Sequence, residues 1–305
     1  MNIYDGNLEE IERVQIDVSE AVAQLLRTAR RPLIFQGLRK DLGFFQSWDL
    51  NFLSNMNTDV PIMRPDADGV NQFNSAEFMP IRDVVENIKN GDAIYIGAKQ
   101  ITGEKGIRAE GHGLGTLAES LTIPDWIDKP RIYNTNLWFG GGNNTTLLHY
   151  DAWDSVMMLN KGEKEFVIFP SDQSEFIPQY SPLNLSKLAQ GTVLSSKIKP
   201  LNIQPKYRAQ FQKAKGFRAT LKPGEVIFVP AGCWHFVQSS GINMAVNFFL
   251  YTASRRIHLQ EPLRTFWIKD NITVPPVVVY RKARAGVAKL SRLLSSLASS
   301  NQSIQ

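Results

Sequence analysis

A chain of 305 residues, 43% hydrophobic and 21% charged, has the composition of an ordinary soluble globular protein and enough length to bury a large core. Its net charge of +5 sits at one end: from Asn271 onward Arg281, Lys282, Arg284, Lys289 and Arg292 meet no acid, and the rest carries 29 charges of each sign, which excludes a nucleic-acid-binding face spread over the fold. No basic stretch leads into an apolar run at the start, no run nears the ~18 apolar residues of a membrane span, and the lone Cys233 makes no intramolecular pair; no transmembrane segment and a cytoplasmic location are expected.

The first elements read as alternating helices and strands. Val18, Ala21, Val22, Leu25 and Leu26 recur at helical spacing until Arg30-Arg31-Pro32 stops the run, and residues 32–37 read as a short buried strand. A second helix is expected over 44–56 and a strand over 60–64; residues 65–74 are rich in turn formers. Pro80 stands near the start of a helix that Asn90-Gly91 ends, and residues 93–97 form the next strand. His112 lies in a glycine-rich stretch without the strand-turn-helix setting of a phosphate loop, so it reads as an ordinary loop.

From Arg131 the pattern becomes β. Strands are expected over 131–139, 146–151, 155–160, 165–169, 218–221, 226–229, 235–238 and 244–250, separated by turn signals such as Gly140-Gly141-Gly142-Asn143-Asn144. Residues 171–217 form a long polar insertion, of a length usually reserved for lids and binding surfaces, and it is expected to border the site. Beyond Pro275-Pro276, Val287, Leu290, Leu293, Leu294 and Leu297 share one helical face with Lys289 and Arg292 off it; such a basic amphipathic helix docks on the body, pairs with its twin in a homodimer, or lies on anionic membrane. The domain organisation expected is 1–115, helices and strands packed on the core; 116–255, the β core with its insertion; and 256–305, a helical extension.

Chemistry concentrates at Thr146-Leu147-Leu148-His149-Tyr150-Asp151 and Pro230-Ala231-Gly232-Cys233-Trp234-His235. A strand alternates its side chains, so His149 and Asp151 leave one face together, and His235 from a later strand completes two imidazoles and one carboxylate. That set suits non-haem Fe(II) and leaves coordination positions open. Cys233, between Gly232 and Trp234, reads as a small packed residue rather than a nucleophile. Many short strands with two distant metal-ligand strands fit a mainly β fold with flanking helices: a double-stranded β-helix, the jelly roll of cupin type.

With His149-Tyr150-Asp151, Lys161-Gly162-Glu163-Lys164, Phe169-Pro170, the Pro223-Gly224-Glu225-Val226 turn, Trp234-His235 and Val246-Asn247-Phe248 in place, residues 131–251 resemble the JmjC/cupin-like family of Fe(II)- and 2-oxoglutarate-dependent oxygenases, and among them the asparaginyl hydroxylases. The resemblance implies that His149, Asp151 and His235 hold Fe(2+), that Lys164, Thr146 and Tyr95 hold the distal carboxylate of 2-oxoglutarate, and that Asn247 lies near its other carboxylate. It implies consumption of O2, release of succinate and CO2, and hydroxylation of a C–H bond on a protein or peptide side chain or a small metabolite. A dianion entering a barrel needs a fixed cation and donors at its far end, which agrees with Lys164 in that role. Three positions depart from the asparaginyl hydroxylase pattern: Ser155 replaces an amide, Met157 an aromatic and Trp138 an aliphatic residue. These, with Trp153, are the candidate substrate-pocket residues. Two rivals remain, demethylation of methyl-lysine by the same centre and a metal-binding scaffold without turnover. The single cysteine builds no zinc cluster of a chromatin reader, which ranks hydroxylation first.

Overall fold

The computed structural model describes residues 4, 6–16, 19–38, 47–71, 77–102, 114–181, 184, 186–187, 194–253 and 260–268. In chain order these form β1 (Leu8–Glu10), β2 (Glu12–Gln15), α1 (Ser19–Thr28), β3 (Leu33–Gln36), α2 (Leu50–Ser54), β4 (Asp59–Pro61), β5 (Phe78–Pro80), α3 (Ile81–Lys89), β6 (Tyr95–Thr102) and α4 (Gly115–Ser120). Then follow β7 (Ile132–Gly140), β8 (Asn144–Thr145), β9 (His149–Tyr150), β10 (Asp154–Phe169), α5 (Pro205–Phe211), β11 (Gly216–Leu221), β12 (Val226–Val229), β13 (Trp234–Leu250) and α6 (Leu263–Ile268).

Two long antiparallel strands carry the architecture. β10 and β13 pair from Asp154↔Leu250 to Phe169↔Trp234, with irregularities at Leu159, Lys161 and Glu163. One half of this ladder is flanked by β12 and β3 on one side and by β7 and β6 on the other; the other half is flanked by β11 and β1, and by β8 and β9. Because the bulged middle bends both strands, the halves face each other as the two sheets of a jelly roll. Each was expected as a pair of shorter strands; Lys161-Gly162 and Ser240-Gly241 look like chain breaks but are absorbed within continuous strands. Gly162 has φ +83°, and a Cβ there would lie 2.5 Å from the Ile242 carbonyl, so only glycine lets the chain turn through the bulge without parting the ladder.

Alternation along these strands sorts their side chains into three cores. Val156, Met158, Val246 and Phe248 face the helices, where α3 contributes Ile81, Val84, Val85 and Ile88 at i, i+3, i+4 and i+7. Met157, Leu159, Phe166 and Ile168 face the space between the sheets. Val167, Phe169, Trp234 and Phe236 face a third cluster, completed by Ile177, Ile198, Ile203 and Phe211 of the insertion. With both faces covered, β10 and β13 read as near-continuous apolar runs rather than alternating ones.

Several expectations change. β1 and β2 lie in a segment with no strand signal: their side chains are mostly exposed, and parallel pairing with β11 and β3 holds them instead of burial. Of the helix expected over 44–56, residues 44–46 lie outside the described residues, and α2 covers Leu50–Ser54. The described part of residues 171–217 does border the site, as expected, Ser195 forming a β-bridge with His149 and Ser196 N–H donating to Leu148 O at 2.7 Å, and it also packs as the third core. His112 and the basic C-terminal helix lie outside the described residues. Among the described residues no helix is long and apolar enough to cross a membrane.

Candidate metal centre

β9 and β13 pair in the register Trp234↔Tyr150 and His235↔His149, so the two imidazoles stand side by side, ring centroids 4.4 Å apart at 49°. Asp151, just past β9, is fixed by its own backbone, whose carbonyl accepts from Gly232 N–H at 2.8 Å. Its Oδ2 lies 3.6 Å from His235 Nε2, and one donor atom from each of His149, Asp151 and His235 falls within 4.8 Å of the other two. This is the one group of three or more such donors among the described residues.

The donors fit a metal ion in chemistry as well as in spacing. His149 Nδ1 lies 2.7 Å from Leu147 O and His235 Nδ1 lies 3.0 Å from Cys233 O. A carbonyl only accepts, so each Nδ1 carries the proton and each Nε2 keeps its lone pair for the shared space. Burial, with His149 alongside, pushes the His235 pKa down to about 4, so its imidazole is neutral at physiological pH. Burial likewise pushes the Cys233 thiol up to about 12, in keeping with a packed residue.

Deeper between the sheets the same face of the ladder carries Lys164, which is 0% exposed. Its Nζ donates to Ser239 Oγ at 2.8 Å and to Tyr95 Oη at 3.0 Å. No carboxylate pairs with it among the described residues, and desolvation pushes its pKa down to about 7. Burial holds the Tyr95 hydroxyl well above the ordinary phenol range. Tyr95 reaches this place because β6 crosses β7 at Gly140, where a Cβ would lie 2.5 Å from the Tyr95 ring. Thr146 Oγ1 accepts from Val237 N–H at 2.9 Å. These three oxygens accept from the fold, and the Ser239 and Tyr95 hydroxyls are also hydrogen-bonded to each other.

His149, Asp151, His235, Lys164, Tyr95, Thr146, Asn247, Ser155, Met157 and Trp138 line one cavity. At its side Asn247 Nδ2 donates to Ser155 Oγ at 2.6 Å, and Asn136 Nδ2 lies 3.4 Å from Asn247 Oδ1. Trp153 is a correction: it does not line the cavity. It precedes β10 in a turn, outside the alternation that aims Ser155 and Met157 inward, and instead stacks on Tyr133 at 4.3 Å and packs against Phe249, which does line it. Ser239, which does not line the cavity but accepts from Lys164 Nζ behind it, was missed by sequence reasoning, although the alternation from His235 through Val237 leads to it. Phe249 was missed too, two positions along β13 from Asn247.

Comparison with known proteins places residues 19–256 in a match to the family model described as a cupin-like domain. Over 107 residues the chain is 34% identical to HSPB1-associated protein 1 of Mus musculus, covering 34% of this chain and 21% of that protein. It is 29% identical over 128 residues to the bifunctional peptidase and (3S)-lysyl hydroxylase JMJD7 of Homo sapiens, covering 37% of this chain and 40% of that protein. It is 22% identical over 156 residues to the lysine-specific demethylase JMJ31 of Arabidopsis thaliana, covering 51% of this chain and 28% of that protein. The match thus spans less than half the length of each of these relatives, and none of the three singles out the asparaginyl hydroxylase branch.

Proposed function

Because the chain belongs to the cupin-like domain family, we propose that it is a 2-oxoglutarate-dependent oxygenase that hydroxylates a C–H bond of a protein or peptide side chain. His149, Asp151 and His235 would hold Fe(2+), and Lys164, Tyr95 and Thr146 the distal carboxylate of 2-oxoglutarate, with Ser239 behind Lys164. The observation that carries this reading is the fully buried Lys164 amine, without a carboxylate partner among the described residues, in the same cavity as the three-donor centre. A scaffold that only held metal would have no reason to bury that lysine uncompensated, since an unpaired buried ion is costly.

When bound, ferrous ion and 2-oxoglutarate supply the oxidising power, O2 being consumed as the keto acid goes to succinate and CO2. The chain's own residues orient and shelter. Leu147 O and Cys233 O keep the protons on Nδ1 of the two histidines. The Lys164 ammonium and the hydroxyls around it offer an anion a cation and donors in a place where water is excluded. Asn247 and Ser155 offer polar groups on the side wall beside Met157. A peptide substrate is favoured over a small metabolite by the aromatic surface that continues outward from Phe249 through Trp153 and Tyr133 to the exposed Tyr251. The relatives named as a lysyl hydroxylase and as a lysine demethylase point the same way, to protein substrates.

The test is succinate formation from 2-oxoglutarate with Fe(II) and ascorbate, followed by mass spectrometry of candidate peptides. A gain of one oxygen is the expected product. Formaldehyde release from methylated peptides would move the reading to demethylation, and no succinate under any substrate would return it to a scaffold.

A further inference from the structure

One donor in the cavity has no partner in the fold. Trp138, 9% exposed, lines the cavity, and its indole Nε1 makes no hydrogen bond. The far edge of the ring is accounted for: Cζ3 packs toward β6, 3.5 Å from where a Cβ on Gly97 would lie, and Nε1 is on the opposite side of the bicycle. Strand register sets the direction, since Trp138 stands opposite Ala245, a member of the cluster between the sheets. Its ring centroid is 6.2 Å from that of Tyr95, whose hydroxyl accepts from Lys164.

Buried N–H groups are nearly always paired, and an aliphatic or phenyl side chain would fill this position without leaving a donor stranded. Trp138, which carries the stranded donor, lines the same cavity as the Lys164 amine, which has no carboxylate partner among the described residues, and the hydroxyls of Tyr95 and Thr146. All of these ask for one kind of ligand, an anionic oxygen acceptor. Resting on the reading of this cavity as a 2-oxoglutarate site, we propose that the Trp138 indole N–H is a further hydrogen-bond donor to that dicarboxylate. Trp138 is then a cosubstrate-binding residue rather than a wall of the substrate pocket.

The experiment uses the full chain loaded with Zn(II), which is redox-inert and diamagnetic, and titrates 2-oxoglutarate calorimetrically into wild type, Trp138→Phe and Trp138→Leu. Both variants are expected to bind 2-oxoglutarate roughly ten- to a hundredfold more weakly, the effect of one hydrogen bond to a charged acceptor, with Zn(II) affinity unchanged. In wild-type protein carrying ¹⁵N-labelled indoles, the N–H resonance missing from the variants is expected to shift as 2-oxoglutarate is added. Equal affinity in wild type and both variants, or a resonance that stays in place while wild type binds, overturns the assignment of Trp138 and leaves the oxygenase reading standing. Failure of the Zn(II)-loaded wild type to bind 2-oxoglutarate overturns both. Should one variant melt well below wild type, the other variant and the wild-type resonance decide.

Discussion

Lys164 and Ser239 stand directly opposite each other in the β10–β13 ladder, and the buried amine of the first donates to the hydroxyl of the second at 2.8 Å. The pair is what a two-sheet core does with a lysine that has no carboxylate partner among the described residues: burial favours the neutral amine, with a pKa of about 7. The lysine is held by neutral oxygens until an anion arrives.

Affinity for 2-oxoglutarate should therefore depend on proton uptake. Lys164 in the ligand-free fold has its pKa pushed down to about 7, and a bound carboxylate draws it back up, so binding above that pH takes a proton from solution. The dissociation constant is expected to rise up to about tenfold per pH unit above 7. Calorimetry in buffers of different ionisation enthalpy checks it. Uptake near zero at pH 8 would show the lysine already charged. Ser239→Ala should weaken binding by about 1 kcal/mol without loss of metal.

Lys164→Met should abolish 2-oxoglutarate binding yet stabilise the empty protein. The unfolded lysine titrates near 10.5 and the folded one near 7, so the unfolded chain holds more protons between those values and wild-type stability rises with pH across that window. Below pH 7 the cost of the buried charge is fully present. The variant is expected to be more stable by about 1 to 4 kcal/mol at pH 7, with the gap closing toward pH 10. Thermal unfolding at three pH values reads it, and a variant less stable at every pH would contradict it.

Asp151→Ala removes the only carboxylate of the three-donor group. Metal retention after gel filtration should fall by more than about a hundredfold, and succinate formation to background. Normal turnover by this variant would place the chemistry elsewhere.

Gly162→Ala tests the bulge that joins the two halves of the fold. With φ at +83° and the Ile242 carbonyl in the way, the variant is expected to lose about 1 to 3 kcal/mol of stability by denaturant titration. An unchanged unfolding midpoint would mean that the ladder tolerates a side chain there.

What the residues alone determined is local. Alternation put His149 and Asp151 on one face, helical spacing found α1 and α3, and turn signals bounded most strands. These are properties of a few consecutive residues and of chain stereochemistry, so they are written in the order of the letters. The family resemblance added Lys164, Tyr95, Thr146 and Asn247, which the cavity brings together.

Tertiary structure alone decided the pairings. Whether Lys161-Gly162 ends a strand or bulges within it depends on a partner supplying hydrogen bonds on both sides, and the partner is β13, far along the chain. Whether Trp153 enters the cavity depends on where β10 begins, which its pairing with Leu250 at Asp154 sets. The opposition of His149 to His235, of Lys164 to Ser239 and of Trp138 to Ala245 follows from register between strands distant in sequence. Register is set by which sides of both strands find apolar cover, a quantity that belongs to the packed molecule and to no single stretch of it.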